Sequence, residues 1–305
     1  MVKYTAKRLF WLVIVLLAVA FITFTLMHLI PGGPWDREKQ LAPQIVENLN
    51  RKYGLDQPFF IQFGNFLWRA LHGDLGISYM YQDRGVTQIL MQGLPKTVTL
   101  GITAFFLALI IGIPLGMAAA LKRNSIVDYL AVIFSTIFAS IPGFVLGILL
   151  IIVLSVALHL LPTGGWGNPK QIIMPALALG ALPAAYIARI TRASVLEVVS
   201  QDYIRTARAK GLAENVVQFR HILRNALIPV LTIAGPELAL LVSGSFIIEN
   251  LYSIPGVGRL FVQGIFARDY GLILGGILFY ALAVAIVNLL VDILYGVVDP
   301  RIRYE

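Results

Sequence analysis

Six long apolar stretches constrain this sequence more than any other feature. They lie at about 9–30, 98–121, 129–161, 172–188, 227–248 and 272–298. A helix that crosses a bilayer needs about 20 consecutive apolar residues. A soluble fold has no place for a chain that is 58% hydrophobic and only 13% charged. The sequence therefore predicts an all-α integral membrane protein with six transmembrane helices.

Two of these stretches are irregular. The third is longer than a single span requires and contains Pro142, which predicts a kink or a tilt. The first follows Lys3, Lys7 and Arg8, as the apolar part of a signal peptide would. Because it lacks a small-residue cleavage pattern and is long enough to span, we expect an uncleaved helix.

The distribution of basic residues indicates the orientation. With the N-terminus inside, 14 of the 24 lysines and arginines fall in short inner segments, and inner loops of membrane proteins carry an excess of these residues. In the outer segment 31–96, six acidic residues nearly cancel seven basic ones. We therefore predict that both termini are cytosolic. The net charge of +8 then reflects topology, and no nucleic acid is expected as a partner.

The spans divide the chain into four predicted regions. These are an N-terminal span (1–30), an outer-face segment (31–96), a transmembrane domain (97–300) and a cytosolic tail (301–305). The outer segment is too polar to span but rich in aromatic residues, which favour the membrane interface. We expect it to form short helices at that interface or packed on the bundle.

The motifs of common catalytic and metal sites are missing from the sequence. It has no cysteine, no G-x-x-x-x-G-K-[ST] phosphate loop, no H-E-x-x-H zinc motif and no G-x-S-x-G nucleophile elbow. We therefore predict no catalytic residue, no metal site and no cofactor in this chain.

Few ionisable residues lie in or beside the spans, and such residues are often functional because burying them is costly. Glu237 follows Pro236 near the middle of its span and is a candidate for a translocation path, together with Ser243 and Glu249. The alternative is that Glu237 is an acid with a structural role.

The polar segment 189–229 separates two apolar stretches and has helical periodicity with a central glycine. Apolar residues recur from Leu196 to Ala209, and Val216, Phe219 and Leu223 share a stripe on a second short helix at about 214–224. Gly211 between them suits a left-handed helix end. The segment is either a docking elbow at about 193–225 or a helix pair that lies on the membrane surface.

A glycine-rich loop on the outer side, residues 162–167, contains Gly164, Gly165 and Trp166. It is either a contact for an external protein or a flexible connection anchored by its tryptophan.

Several motifs resemble one family. Arg205–Gly211 reads R-T-A-R-A-K-G, and Asn225–Pro229 reads N-A-L-x-P. Together they resemble the EAA loop of ABC importer permeases, with Arg205-Thr206-Ala207 in place of the E-A-A triplet, as in the peptide-importer subgroup. Further segments that resemble this subgroup, in chain order, are 31–34 (with Gly33 in place of an acid), 53–58, 73–78, 249–258, 268–270 and 299–304. The chain resembles the first permease subunit of an oligopeptide/dipeptide-type importer.

This resemblance implies a type I ABC importer fold and a set of partners. The partners are a second homologous permease, two cytosolic ATP-binding subunits that carry ATP and Mg, an extracytoplasmic binding protein or lipoprotein, and membrane lipid. The implied location is the plasma (inner) membrane of a prokaryote. The residues implied in ATPase coupling are Arg205, Thr206, Ala207, Arg208, Lys210, Gly211, Leu212, Val216, Phe219, Arg220 and Leu223.

Peptides are the implied substrate, while nickel chelates, glutathione and oligosaccharides are carried by other members of the family. An ion- or proton-coupled secondary transporter would need inverted repeats and charge relays, which the sequence does not show. A membrane scaffold or channel would leave the Arg205–Gly211 pattern unexplained.

Overall fold

A computed structural model describes residues 2–30, 33–35, 42–81 and 84–298. Residues 31–32 of the first outer motif, the C-terminal motif 299–304 and the predicted tail 301–305 lie outside these ranges. Within them the regular elements are helices, apart from one isolated bridge between Ile77 and Gly85. The helices are α1 (Val2–Leu29), α2 (Pro43–Tyr53), α3 (Phe59–Leu71), α4 (Val86–Leu121), α5 (Ile126–Ser140), α6 (Gly143–Leu150), α7 (Lys170–Val199), α8 (Asp202–Ala209), α9 (Glu214–Val216), α10 (Arg224–Val242), α11 (Phe246–Leu251), α12 (Val257–Phe266) and α13 (Tyr270–Val298).

Two π-helical segments continue α-helices. Ile151–Ala157 extends α6, and Val217–Leu223 joins α9 to α10. Such segments are rare and often occur at functional sites.

Five helical stretches in the described chain are long and apolar enough to cross a membrane. They are Phe10–Leu29, Val86–Leu121, Lys170–Val199, Glu214–Val242 and Tyr270–Leu289. A sixth results if the bent pair Ile126–Ser140 and Gly143–Ala157 counts as one span. The prediction of a helical membrane protein is confirmed, and five of the predicted spans coincide with these stretches, except that the fifth (227–248) ends at Val242, before a turn at Gly244.

The third predicted span is broken, and its two halves meet at 104°. The break falls at Ile141, whose backbone is extended (φ −88°, ψ 122°), and Pro142 follows it. Proline donates no backbone hydrogen bond, and its ring disfavours the helical conformation of the residue before it. The predicted kink is therefore a complete interruption of the helix.

The chain forms two compact units, one made of residues up to Thr97 with Pro255–Ile286, the other of Val98–Ile254 with the end of α13. In the first unit, α2 and α3 are the expected short helices of the outer segment. Rings of α3 pack on α1, with the Phe21 and Phe63 centroids 5.4 Å apart. The long helix α4 begins at Val86, inside the segment predicted for the outer face.

In the second unit, α7 is the helix around which its neighbours pack, and many small residues make this possible. A Cβ atom added at Gly116 would lie 2.4 Å from the Ala188 carbonyl oxygen, and one added at Gly112 would lie 2.8 Å from that of Ala184. Only glycine allows α4 to approach α7 so closely, as expected for glycine pairs in membrane helices.

Candidate functional site

The polar segment between α7 and α10 folds as an elbow with a buried side and an exposed side. On the buried side, Ile204 and Ala207 of α8 pack with Val217 and Ile222 of the π-helical segment. The same cluster includes Ala120, Val195 and Ala226, from the ends of α4 and α7 and the start of α10. A fully buried aliphatic side chain contributes about 1.5–3 kcal/mol relative to an exposed one, so this cluster fixes the elbow on the helix ends.

The turn of the elbow is built around Gly211, which has a φ of 77°. Its amide donates to the Arg208 carbonyl at 2.9 Å, and the next amide donates to Ala207 at 3.4 Å. A glycine in this left-handed conformation commonly ends a helix. Arg208 also bridges the turn, since its guanidinium donates to both carboxylate oxygens of Glu214 at 3.2 and 2.8 Å.

The exposed side carries apolar residues among basic ones. Phe219 is 62% exposed and Val216 is 39% exposed, whereas Leu223 is half-buried. Other residues of the predicted coupling set that are exposed are Arg205, Thr206, Arg208, Lys210, Leu212 and Arg220. A contiguous apolar patch rimmed by polar residues often marks a site of protein or membrane contact, whereas single exposed apolar residues need no explanation.

The elbow differs from its sequence-based description at both ends. The predicted helix from Leu196 to Ala209 is interrupted, because α7 ends at Val199 and Gln201 is extended (φ −73°, ψ 146°). The Ser200 hydroxyl donates to the Glu197 carbonyl at 2.7 Å and so competes with the helical pattern. The second predicted helix, 214–224, does not end but continues through the π-helical segment into α10.

The three candidates for a translocation path have different surroundings. Glu249 is fully buried in α11, and the buried Ser243 hydroxyl donates to the Ala239 carbonyl at 2.6 Å. Glu237 is half-buried. Of the three, Glu237 has the most side-chain surface available to a path, and the role of all three stays a prediction.

The outer loop 162–167 is packed against its own unit. The Gly165 amide donates to the Tyr252 carbonyl at 2.7 Å, and Trp166 packs on the cluster that contains Tyr252. The Tyr252 hydroxyl in turn donates to the Gly147 carbonyl at 2.8 Å. The loop is therefore held in one position; its contact with an external protein stays a prediction.

Sequence reasoning missed a buried ion pair beside the elbow. Arg192 of α7 donates from Nε and Nη2 to the two carboxylate oxygens of Asp128, at 2.6 and 2.8 Å. The Asp128 side chain is 4% exposed and also accepts the Asn124 amide. Ionisable residues within membrane helices usually pair with one another, so Arg192 was a sequence signal for an acidic partner, although it did not identify Asp128.

Two outer motifs that were noted separately in the sequence lie against each other. Asp269, fully buried, accepts hydrogen bonds from the Ser78 hydroxyl and from the Tyr79 and Met80 amides. Its other oxygen accepts the Leu272 amide at 3.0 Å. Burial and the Asp269 carboxylate raise the pKa of the Tyr79 phenol well above its ordinary value. Asp269 therefore fastens the loop before α4 to the start of α13.

Among the residues that the structure describes, no group of three or more histidine, cysteine or acidic residues could hold a metal ion. The fold is that of a multi-pass helical membrane protein.

Comparisons with known proteins give the family. Residues 1–101 match the N-terminal part of the binding-protein-dependent transport system membrane component, and residues 112–304 match the binding-protein-dependent transport system inner membrane component. The chain belongs to this family of transport system membrane components.

Individual relatives match along the whole chain. The dipeptide transport system permease protein DppB of Bacillus subtilis (strain 168) is 41% identical over 303 residues, which are 99% of this chain and 98% of that protein. The oligopeptide transport system permease protein OppB of Escherichia coli (strain K12) is 40% identical over 306 residues, 100% of both chains.

Solved structures share the fold at lower identity. A chain of the inward-facing MetNI methionine ABC transporter has a TM-score of 0.59 at 20% identity, covering 70% of this chain and 97% of that one. A chain of an amino acid ABC transporter has a TM-score of 0.53 at 18% identity, covering 71% and 95%. The helical fold is thus one found in ABC transporters.

Proposed function

We propose that this chain is a permease subunit of an ATP-driven importer of di- or oligopeptides in the plasma membrane of a prokaryote. The peptide substrate is supported by the two relatives, named as dipeptide and oligopeptide permeases, that match the chain from end to end. The single observation that carries the coupling role is the exposed apolar and basic face of the elbow, fixed on a buried base.

The elbow is suited to pass motion from a soluble ATPase to the spans. Coupling requires a rigid link, because a loose loop would absorb the displacement. The buried cluster around Ile204 and Ile222 joins the elbow to α4, α7 and α10, and the Asp128–Arg192 pair joins α5 to α7. A push on Phe219 is thereby transmitted to several membrane helices.

The partners follow from this role. Two cytosolic ATPases hold ATP and Mg and bind the elbows of this chain and of a second, homologous permease. An extracytoplasmic binding protein or lipoprotein delivers the peptide. In this arrangement both termini are cytosolic, the bent pair α5–α6 forms one of six spans, and the path between the two permeases opens alternately to either side.

A charge on the exposed elbow face provides the main test. Phe219→Asp should abolish peptide-stimulated ATPase activity in the assembled complex, since apolar anchors dominate protein interfaces and losing one costs about 2 kcal/mol or more. The chain should still insert into the membrane, because Phe219 contributes little to the buried cluster.

Two controls sharpen this experiment. Phe219→Leu keeps an apolar side chain and should retain most of the coupling. Gln201→Asp adds the same charge at the N-cap of α8, outside the apolar face, and should leave the activity unchanged. Undiminished stimulation in Phe219→Asp would rule out the elbow as the coupling site.

The outer loop needs a separate measurement. Deleting residues 163–167 and measuring how tightly the binding protein associates with the assembled complex distinguishes a contact from a connection. The deletion also removes the packing on Tyr252 and should lower thermal stability, so association is measured at a temperature at which the complex stays folded. Weaker association there supports a contact for the binding protein. Unchanged association identifies a connecting loop.

A further inference from the structure

A cavity of about 360 Å³ lies within the first unit, between the outer segment and two apolar helices. Its walls come from α1, α2, α3, the loop before α4 and the start of α13. This volume is within the range of ~300–1,000 Å³ that is usual for small-molecule sites. The proposed coupling and transport roles do not use this cavity.

The lining of the cavity combines positive charge with aromatic rings. Arg51, Lys52 and Arg69 supply the charge, and the described lining residues include no carboxylate. Arg51 pairs with Glu47 at 2.8 Å on the exposed side of α2, and the Lys52 ammonium lies 5.5 Å from the ring centre of Tyr53. Arg69 makes no ion pair with any residue that the structure describes. The aromatic lining residues are Phe24, Tyr53, Phe66, Tyr79 and Tyr270.

Helix α3 separates this cavity from a strongly apolar surface. Gln62, Asn65, Phe66 and Arg69 of one face line the cavity. On the other face Phe60, Trp68 and Leu71 are 76%, 67% and 81% exposed. Helices divided in this way commonly lie in the plane of the membrane interface, with the apolar face in the acyl region. The cavity on its other side then lies at the depth of the lipid headgroups.

We propose that this cavity binds the phosphate of an anionic ligand, with Lys52 and Arg69 as the charged contacts and the rings packing on the attached glycerol. Basic pockets between membrane helices bind anionic headgroups on the cytoplasmic side, and the same attraction between opposite charges acts in either leaflet. The phosphate can come from an anionic phospholipid or from free phosphate, and the position of α3 favours the lipid. The assignment of the lipid to the outer leaflet rests on the proposed orientation of the chain in the membrane, whereas the phosphate site itself does not.

The charge of the lining decides against a cationic headgroup. Aromatic rings alone could enclose a quaternary ammonium such as choline. Arg51 is compensated by Glu47, but Lys52 and Arg69 in the same wall repel a cation and attract an anion. The site should therefore prefer phosphatidylglycerol, which has a net negative charge, to phosphatidylcholine, which has none.

The test titrates the purified full-length chain in detergent with four ligands and counts the bound molecules by native mass spectrometry. The ligands are phosphatidylglycerol, phosphatidylcholine, glycerol 3-phosphate and inorganic phosphate. We expect one saturable site for phosphatidylglycerol. Arg69→Gln should lower its affinity about fivefold and Lys52→Gln/Arg69→Gln about 25-fold, since each basic residue near a membrane surface contributes by roughly that factor.

Lys170→Gln is the matched control, because Lys170 is an exposed basic residue that does not line the cavity. It should bind phosphatidylglycerol as the unsubstituted chain does. Equal affinity for inorganic phosphate and phosphatidylglycerol would support the phosphate site and identify the free ion as its source. Equal affinity for the two lipids, with no effect of Arg69→Gln, would overturn the proposal.

A protein partner is the remaining outcome. If Arg69→Gln weakens association with the extracytoplasmic binding protein while phosphatidylglycerol binding is unchanged, the surface serves that protein and the proposal is wrong. None of these measurements uses peptide-stimulated ATPase activity. Failure of the phosphate site therefore leaves the transport proposal intact.

Discussion

Arg192 holds Asp128 by two parallel hydrogen bonds, of 2.6 and 2.8 Å, although 64 positions separate the two residues in the chain. Such a bidentate pair fixes geometry as well as charge. It joins the first turn of α5 to α7 close to where the elbow begins, in a site where the carboxylate is almost completely buried. The pair therefore fixes the position of α5 relative to α7, the helix that leads into the elbow.

Removing one member of this ion pair should lower the stability of the protein. Arg192→Gln leaves the buried Asp128 carboxylate without its charged partner, and such changes destabilise proteins by about 3–5 kcal/mol. We expect a clearly lower midpoint in a thermal unfolding assay of the purified chain. Asp128→Asn/Arg192→Gln removes both charges and should recover part of the loss. If the double variant lost as much stability as Arg192→Gln and Asp128→Asn lose when their separate losses are added, the pair would not be energetically coupled.

The four hydrogen bonds that Asp269 accepts make its charge and shape difficult to replace. Asp269→Asn replaces one acceptor oxygen by an amide NH2 group that faces at least one N–H donor in either orientation, and a buried donor left unsatisfied costs about 1–3 kcal/mol. Thermal unfolding should show this loss. Asp74→Asn is the control, because Asp74 is exposed and its side chain accepts a single hydrogen bond from the described residues, that of the Gly76 amide. A stability loss of the same size in both variants would contradict the structural role of Asp269.

The membrane helices could be predicted from the sequence because their signal is local. Length and hydropathy alone identify a span, and Pro142 located the break in the third one. The left-handed glycine at Gly211 was also predictable, since the helical pattern stops on both sides of it. What hydropathy cannot show is how sharply a helix turns, so the angle of 104° at Pro142 came only from the structure.

Long-range pairs could not be predicted in the same way. Asp128 and Arg192, or Ser78 and Asp269, come together only after several helices have packed, and no spacing rule connects them. The elbow was predicted as two short helices because periodicity does not reveal a π-helical segment. In the π-helical turn the backbone bonds shift by one residue, so helical character continues from Glu214 into the span.

Close packing at Gly164 yields a stability prediction that is independent of any partner. A Cβ atom added there would lie 2.4 Å from the Tyr252 carbonyl oxygen, which is backbone and cannot move aside. Gly164→Ala should therefore destabilise the chain by about 1–3 kcal/mol, as overpacking does. Gly64→Ala is the matched control, since nothing lies within 4 Å of its added Cβ and alanine favours the helix. Equal unfolding midpoints for the two variants would show that the loop adjusts freely.

Substitutions at Gly211 test the backbone conformation alone, because nothing lies within 4 Å of a Cβ atom added there and a side chain meets no steric clash. Its cost on substitution comes from the φ of 77° alone. Asparagine tolerates this left-handed region, whereas a β-branched residue is a clear outlier in it. Gly211→Asn should leave peptide-stimulated ATPase activity near its original value. Gly211→Val should lower that activity and should also destabilise the elbow by about 1–2 kcal/mol. Hydrogen exchange of the Ala207–Leu212 amides measures the second effect. If both substitutions reduced coupling equally while exchange stayed slow, the ATPase contact would require glycine itself rather than the turn that glycine allows.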